Sequence, residues 1–287
     1  MSAKYSLESD LQLALELAAI ADEITMVRYL AQDLLITTKP DNTPVTDADQ
    51  ATEKALRQHL ATMRPTDGLV GEEFGNENKA AERYWVIDPI DGTKNFMRGV
   101  PTWATLIGLV ERQSDGSEKV IVGAVSAPAL NRCWYASNGG GAFTVLNGGK
   151  PRKISVSKVS EISSASIAYS DFLGWNERLT KFQKLIADCS RSRGYGDFWS
   201  HMLVAEGAVD IATEPSLALW DMAALDVIVR EAGGTFSNLI GEAGPFGGSG
   251  ISTNTLLHPT VMAVWVVMGE GDGGSVMDSV PSDSTYA

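Results

Sequence analysis

The sequence predicts a mixed α/β protein made of two unlike halves, and three observations carry that expectation. The first 150 residues hold two segments with apolar residues at helical spacing, then a series of apolar runs separated by glycine-rich turns. Beyond that point strands and helices alternate. At 287 residues, with 44% hydrophobic and 21% charged side chains, the chain can bury a large core as one big domain or two fused halves.

Taken in order, Leu7 to Leu35 places Leu11, Leu15, Ala18, Ala19, Asp22, Met26 and Leu30 at helical spacing and predicts a long amphipathic helix. Lys39 to Asp49 (KPDNTPVTDAD) is polar, carries two prolines and reads as a loop or hairpin. Gln50 to Met63 is a second helix, ended by Pro65 and Gly68. Leu69-Val70 is a very short strand running into Gly71-Glu72-Glu73, and Tyr84 to Ile87 is a buried strand ending at Asp88. Trp103 to Glu111 and Lys119 to Ser126 read as paired strands, and Arg132 to Ser137 as a third. Gly139-Gly140-Gly141 and Asn147-Gly148-Gly149 read as hairpin turns. The first half is therefore two helices on a mostly antiparallel sheet.

In the second half Ser166 to Ser170 is a strand, Asn176 to Cys189 a helix and Gly194 to Gly196 a turn. His201 to Glu206 is helical, Val209 to Thr213 is a strand, and Ala223 to Ala232 is a helix stopped by Gly233-Gly234. Val261 to Met268 is a buried strand or short helix, too short to span a bilayer. The expected division is an α+β half over 1–150, an α/β half over 151–268 and a disordered tail over 269–287, rich in glycine, serine and aspartate.

Charge narrows the partners. Lys and Arg number 23 against 36 Asp and Glu, a net charge of −13, which disfavours nucleic acid and anionic membranes. An anionic substrate stays compatible if metal ions supply positive charge locally. Cys133 and Cys189 lack metal-ligand or redox spacing, no signal peptide is visible, and a reducing cytoplasm fits.

The acids are the informative feature. In Asp88-Pro89-Ile90-Asp91-Gly92-Thr93 two aspartates leave an apolar strand three residues apart, with proline fixing the turn and glycine allowing close backbone approach. The Ile90 carbonyl points into the same space, and hard cations take oxygen ligands of this kind. Glu72 and Glu73 sit at a second strand end, Asp221 follows Trp220 at a helix start, and Asp49 closes the polar loop. Each has an ordinary structural alternative, a helix cap, a solvated turn or a packed tryptophan. Together they repel strongly unless cations neutralise them, which points to a multi-metal site.

These segments, Gly71-Glu72-Glu73, Trp85 to Phe96 (WVIDPIDGTKNF), Trp220-Asp221-Met222-Ala223-Ala224 and Val45-Thr46-Asp47-Ala48-Asp49, resemble the inositol monophosphatase family over roughly residues 8 to 268. The resemblance implies a five-layered αβαβα sandwich, usually a homodimer, and Mg²⁺-dependent hydrolysis of a small phosphate monoester. It implies that Glu72, Asp88 and the Ile90 carbonyl hold one Mg²⁺, that Asp88, Asp91 and Asp221 hold a second, and that Glu72 shares a third, looser ion. The amides of Gly92 and Thr93 open a helix and suit phosphate oxygens. The resemblance further implies that the nucleophile is a water made acidic by the metal. Either Thr93 paired with Asp49, or Glu72, orients or deprotonates it, Glu73 supports the ligands, and Lys39 lies in the loop expected to close over the metals.

Specificity lies elsewhere. In the family the alcohol is held by the segment before a second-half helix and by an acid seven residues ahead of the WD aspartate, here Glu214. That segment reads Arg193-Gly194-Tyr195-Gly196-Asp197-Phe198-Trp199, where inositol-type enzymes carry a GTAA-like run of small residues. Asp197 with Glu214 suits an ammonium group, and Tyr195, Phe198 and Trp199 offer faces to a flat ring. Histidinol phosphate has both groups, and the run resembles the histidinol-phosphatase branch of the family. Packing aromatics and a helix-capping Asp197 are the structural alternative, and an inositol-1-phosphate or broad sugar phosphatase is the other activity expected. Arg191 and Arg193 leave a second-phosphate site open, and His59, His201 and His258 read as structural or surface residues.

Overall fold

The computed structural model describes residues 5–40 and 43–266. The expected tail from Gly269 lies outside them.

Helix α1 (Leu7–Arg28) is capped by Ser6, whose side chain accepts the Ser9 N–H. It ends earlier than its apolar pattern suggested: Tyr29 is extended and Leu30 has φ +66°. Leucine and alanine occur nearly all round this helix, so spacing alone does not select the inward face. The buried set is Leu13, Ala14, Leu17, Ala18 and Ala21, while Met26 and Leu30 are exposed. Strands β1 (Ile36–Thr38) and β2 (Pro44–Thr46) form the hairpin the prolines suggested. Helix α2 (Asp47–Met63) starts three residues before the expected Gln50, because Thr46 and Asp49 form a reciprocal capping box.

An eight-stranded sheet follows, built from β3 (Gly68–Gly71), β4 (Gly75–Glu77), β5 (Arg83–Asp91), β6 (Ala104–Arg112), β7 (Glu118–Ala127), β8 (Arg132–Ser137), β9 (Gly141–Leu146) and β10 (Arg152–Lys153), with the short helix α3 (Thr93–Met97) after β5. Its order is β10-β9-β8-β7-β6-β5-β3-β4, antiparallel except that β3 and β5 run parallel. Strand β5 is apolar on both sides because both sheet faces are covered. Trp85 and Ile87 pack into the cluster under α1 and α2, and Tyr84 and Val86 into the cluster on the opposite face.

The second half supplies β11 (Ser166–Ala168), α4 (Leu179–Asp188), β12 (Arg191–Arg193), α5 (Asp197–Ala205), β13 (Ile211–Glu214), α6 (Leu219–Glu231), β14 (Gly234–Ser237), β15 (Gly250–Asn254) and α7 (His258–Val266). The five strands are ordered β12-β11-β13-β15-β14, with β11 parallel to both of its neighbours. Strands β14 and β15 were not expected; the run Gly250–Asn254 is half polar, yet all five residues are buried. Helices α5 and α6 bury Phe198, Met202 and Met222 to Val229 in the core between the sheets. Phe182 and Leu185 of α4 join Val261 and Trp265 of α7 on the outer face of the second sheet. The layers are therefore α1/α2, first sheet, α5/α6, second sheet and α4/α7, the αβαβα sandwich.

Candidate active site

Strand β5 sets the centre of the site. Its pairing with β6 slips by one residue, from Asp88 opposite Leu106 to Asp91 opposite Ala104. A bulge of this kind re-aims side chains at a sheet end, and it tolerates Pro89. The bulge extends β5 three residues past the expected Asp88. It is pinned by the Ile90 N–H on Asp88 Oδ1 (2.9 Å) and by the Thr105 hydroxyl on the Pro89 carbonyl (2.8 Å). Gly92 then takes the left-handed conformation, φ +82°, and opens α3; a Cβ there would meet the Thr102 carbonyl at 3.0 Å.

Asp221 arrives from the other side, in the first turn of α6. Glycines in the sheet let this helix approach: a Cβ on Gly108 would lie 2.9 Å from that of Ala223, and one on Gly123 2.7 Å from the Ala224 carbonyl. The Ala218 N–H holds Asp221 Oδ2 at 2.7 Å. The outcome is one carboxylate oxygen each from Asp88, Asp91 and Asp221, all within 4.8 Å of one another.

Burial, then the charges of Glu72, Asp91 and Asp221, push Asp88 well above the usual carboxylate range. Burial, then Asp197 and Asp221, do the same to Asp91, although the Phe198 N–H at 2.7 Å works against it. Burial first, with Glu72 and Asp197 adding, raises Asp221 to about 7. Among the described residues no lysine or arginine pairs with these three aspartates. A set of oxygen donors in mutual repulsion, Asp88 buried and Asp91 and Asp221 half-buried, fits a hard divalent cation, which would supply the missing charge.

Glu72 lines the adjoining cleft. Lys39, from the end of β1, places its ammonium 2.7 Å from the carboxylates of both Glu72 and Glu73. Burial raises Glu73 to about 7 despite that lysine. The expected contact between Thr93 and Asp49 is not made. The Thr93 hydroxyl donates to the Ile90 carbonyl at 3.0 Å. Asp49 Oδ2 accepts the Thr46 N–H (2.8 Å) and hydroxyl (2.6 Å), and its Oδ1 is buried without a partner. Asp49 thus uses one carboxylate oxygen to cap α2.

The cleft encloses about 610 Å³, with Glu72, Gly92, Thr93 and Asp221 on one side and Ser170, Asp171, Tyr195 and Asp197 on the other. Asp197 has φ +51°, strained for a residue with a side chain. Its N–H donates to the Ser170 hydroxyl (3.1 Å), and the Asn95 amide donates to its Oδ2 (3.0 Å). Burial raises it to about 6, with Lys94 opposing. Glu214 lies behind Ser170 and accepts both its N–H and its hydroxyl at 2.7 Å; burial lifts it to about 8.

Two of the aromatic expectations change. Phe198 is 1% exposed and packs edge-on to Trp134 in the core, so it offers no face to a ligand. Trp199 packs against the same core and does not line the cleft; its ring meets Tyr195 at 5.1 Å. No histidine lines the cleft among the described residues. Sequence reasoning missed Ser170, Asp171, Lys94 and Asn95 as cleft residues. For Ser170 and Asp171 a signal existed, since open α/β sheets place ligands at the carboxyl ends of strands.

Residues 6–269 match the model of the inositol monophosphatase family. A histidinol-phosphatase from Mycobacterium tuberculosis is 55% identical over 255 residues, covering 88% of this chain and 96% of that protein. One from Streptomyces coelicolor is 52% identical, covering 88% and 95%. The crystal structure of the extragenic suppressor protein suhB from Bartonella henselae superposes with a TM-score of 0.80 at 27% identity, covering 90% of this chain and 99% of that one. No helix among the described residues is long and apolar enough to cross a membrane.

Proposed function

Because the chain belongs to the inositol monophosphatase family, we propose that it hydrolyses L-histidinol phosphate to L-histidinol and inorganic phosphate with Mg²⁺ as cofactor. The observation that carries this reading is the position of Asp197. Its backbone is strained and its N–H is held by the Ser170 hydroxyl, its carboxylate accepts from Asn95, and it lines the same cleft as Glu72 and Asp221. Such a group suits the ammonium of an amino alcohol. The 55% and 52% identical relatives named as histidinol-phosphatases support the same substrate.

In this reading Asp88, Asp91, Asp221, Glu72 and the Ile90 carbonyl hold two or three Mg²⁺ ions. When bound, the ions supply positive charge to the phosphoryl oxygens and a more acidic water. The amides of Gly92 and Thr93 orient the phosphoryl oxygens. Glu72 is the side chain assigned to accept a proton from the attacking water, because it lines the cleft, whereas Asp49 does not and makes no contact with Thr93. Asp197 takes the substrate's ammonium, Tyr195 borders its ring, and Glu214, the acid expected to share the ammonium, lies behind Ser170 outside the cleft lining and supports that serine instead. Two free thiols support a reducing cytoplasm, and the family resemblance supports a homodimer.

The test is phosphate release from histidinol phosphate and from inositol 1-phosphate, each with and without Mg²⁺. The expected result is a kcat/KM favouring histidinol phosphate and loss of turnover on chelation. A ratio favouring inositol phosphate would replace this reading with the inositol-type alternative.

A further inference from the structure

Glu53, on α2, is fully buried and belongs to none of the groups assigned above. Its Oε2 accepts the Glu73 N–H at 2.7 Å and its Oε1 the Phe74 N–H at 3.1 Å. Arg57, one helical turn on, donates Nε to Glu53 Oε1 at 2.8 Å and Nη1 to Glu77 Oε1 at 2.8 Å, and its Nη2 donates to the Gly75 carbonyl. The pair thus grips the chain from Glu73 to Glu77, the end of the turn after β3 together with β4. Gly71 makes room for it: a Cβ there would strike the Glu53 carboxylate and come within 2.9 Å of Arg57 Nη2. The glycine ahead of the two glutamates is therefore needed for the approach of a buried acid, and its φ is ordinary.

We propose that Glu53 is a positioning residue for the metal site, fixing the backbone of Glu72 through the next two amides. Glu72 has one main-chain restraint of its own, a long N–H contact to the Ile87 carbonyl at 3.3 Å. The stronger restraints on its turn come from Glu53, as charge-assisted bonds from two backbone amides. Lys39 draws on the Glu72 and Glu73 side chains, so without Glu53 the amides of Glu73 and Phe74 lose their acceptor while that pull remains. Loss of such supporting bonds costs about 10- to 100-fold in metal affinity. The inference rests on the reading of Glu72 as a metal ligand.

The experiment is Mg²⁺ titration by calorimetry on the full chain, comparing wild type with E53Q, G71A, E72Q and the E53Q/E72Q pair. E53Q, nearly isosteric, is expected to weaken Mg²⁺ binding about 10- to 100-fold. G71A displaces the same carboxylate without changing any charge, and carries the test should E53Q not fold. In the E72Q background E53Q is expected to add less than about threefold, since both act through one ligand. An unchanged dissociation constant in both E53Q and G71A, or an equal loss with and without Glu72, overturns the proposal. If E72Q itself leaves Mg²⁺ binding unaltered, the ligand assignment of Glu72 fails, and this inference with it.

Discussion

The two walls of the cleft are built by different rules. The wall from the first sheet draws Asp88, Asp91, Gly92 and Thr93 from one bulged strand end and adds Glu72 from the neighbouring strand. The wall from the second half draws Ser170 from beyond the end of β11, Tyr195 from the loop before α5 and Asp197 from the first turn of α5, with Glu214 of β13 behind Ser170. The first wall concentrates like charge until it needs a cation. The second spaces its acids and satisfies them with Ser170 and Asn95. That contrast assigns phosphate chemistry to one wall and choice of alcohol to the other.

The largest expected effect tests the first wall. Asp91→Asn should lower turnover on every phosphate monoester by about 10³-fold or more, near 4 kcal/mol of barrier, even at saturating Mg²⁺. Equal loss on histidinol phosphate and inositol 1-phosphate is the signature of a wall that does not read the alcohol. Turnover left intact would break the division of labour.

Stability at low pH comes next. His201 is buried behind the second wall, its Nδ1 2.7 Å from Ser252 Oγ and its Nε2 without a partner. Burial lowers its pKa to about 4 from 6.5. Above pH 6.5 the ring is neutral in both folded and unfolded chains and contributes no pH dependence. Between pH 6.5 and 4 the unfolded chain takes up a proton the folded chain refuses, so stability falls, by about 3 kcal/mol in total. Urea unfolding at pH 7 and pH 4.5 should show a smaller decline in His201→Gln than in wild type. Identical declines would mean that the ring is not buried neutral.

How much of this was legible follows the same contrast. The metal wall was readable because its residues are close in sequence and chemically improbable together: two aspartates flanking Pro89-Ile90, then glycine. The bulge was not, since nothing local forces Asp88 and Asp91 to pair out of step with β6. The outer layers were partly readable. The paired strands of the first sheet stood out through apolar runs and glycine turns, whereas the half-polar β15 is buried because helices cover both faces of the second sheet, α5 meeting Ser252 and α4 and α7 sharing a cluster with Ile251. On the second wall the acids were found but the aromatics were misplaced. Spacing puts Phe198 and Trp199 beside Asp197, yet α5 turns both toward the core between the sheets, an orientation set by tertiary packing. Glu53 gave no signal, because an acid four residues before an arginine on a helix reads as a surface pair.

Asp197→Asn tests the second wall more gently. It removes the charge while keeping the shape and the contact with Asn95, so kcat/KM for histidinol phosphate should fall about 30-fold, near 2 kcal/mol. The loss should fall mainly in KM, and inositol 1-phosphate should lose far less. Equal losses on both substrates would make Asp197 a support for Asp91, which it neighbours electrostatically, and the walls would no longer be separable.

The smallest effect is expected at Trp199. Trp199→Phe keeps an aromatic ring against the core and gives up an indole N–H that is buried without a partner. With the ring outside the cleft lining, KM for histidinol phosphate should move less than about threefold, under 1 kcal/mol. Tyr195→Leu, by contrast, changes a side chain that does line the cleft and should raise KM more than Trp199→Phe does. The comparison of the two variants decides which ring the substrate meets. A larger penalty at Trp199 would mean that α5 turns on binding to bring the indole into the cleft, and the second wall would then be assembled by the substrate.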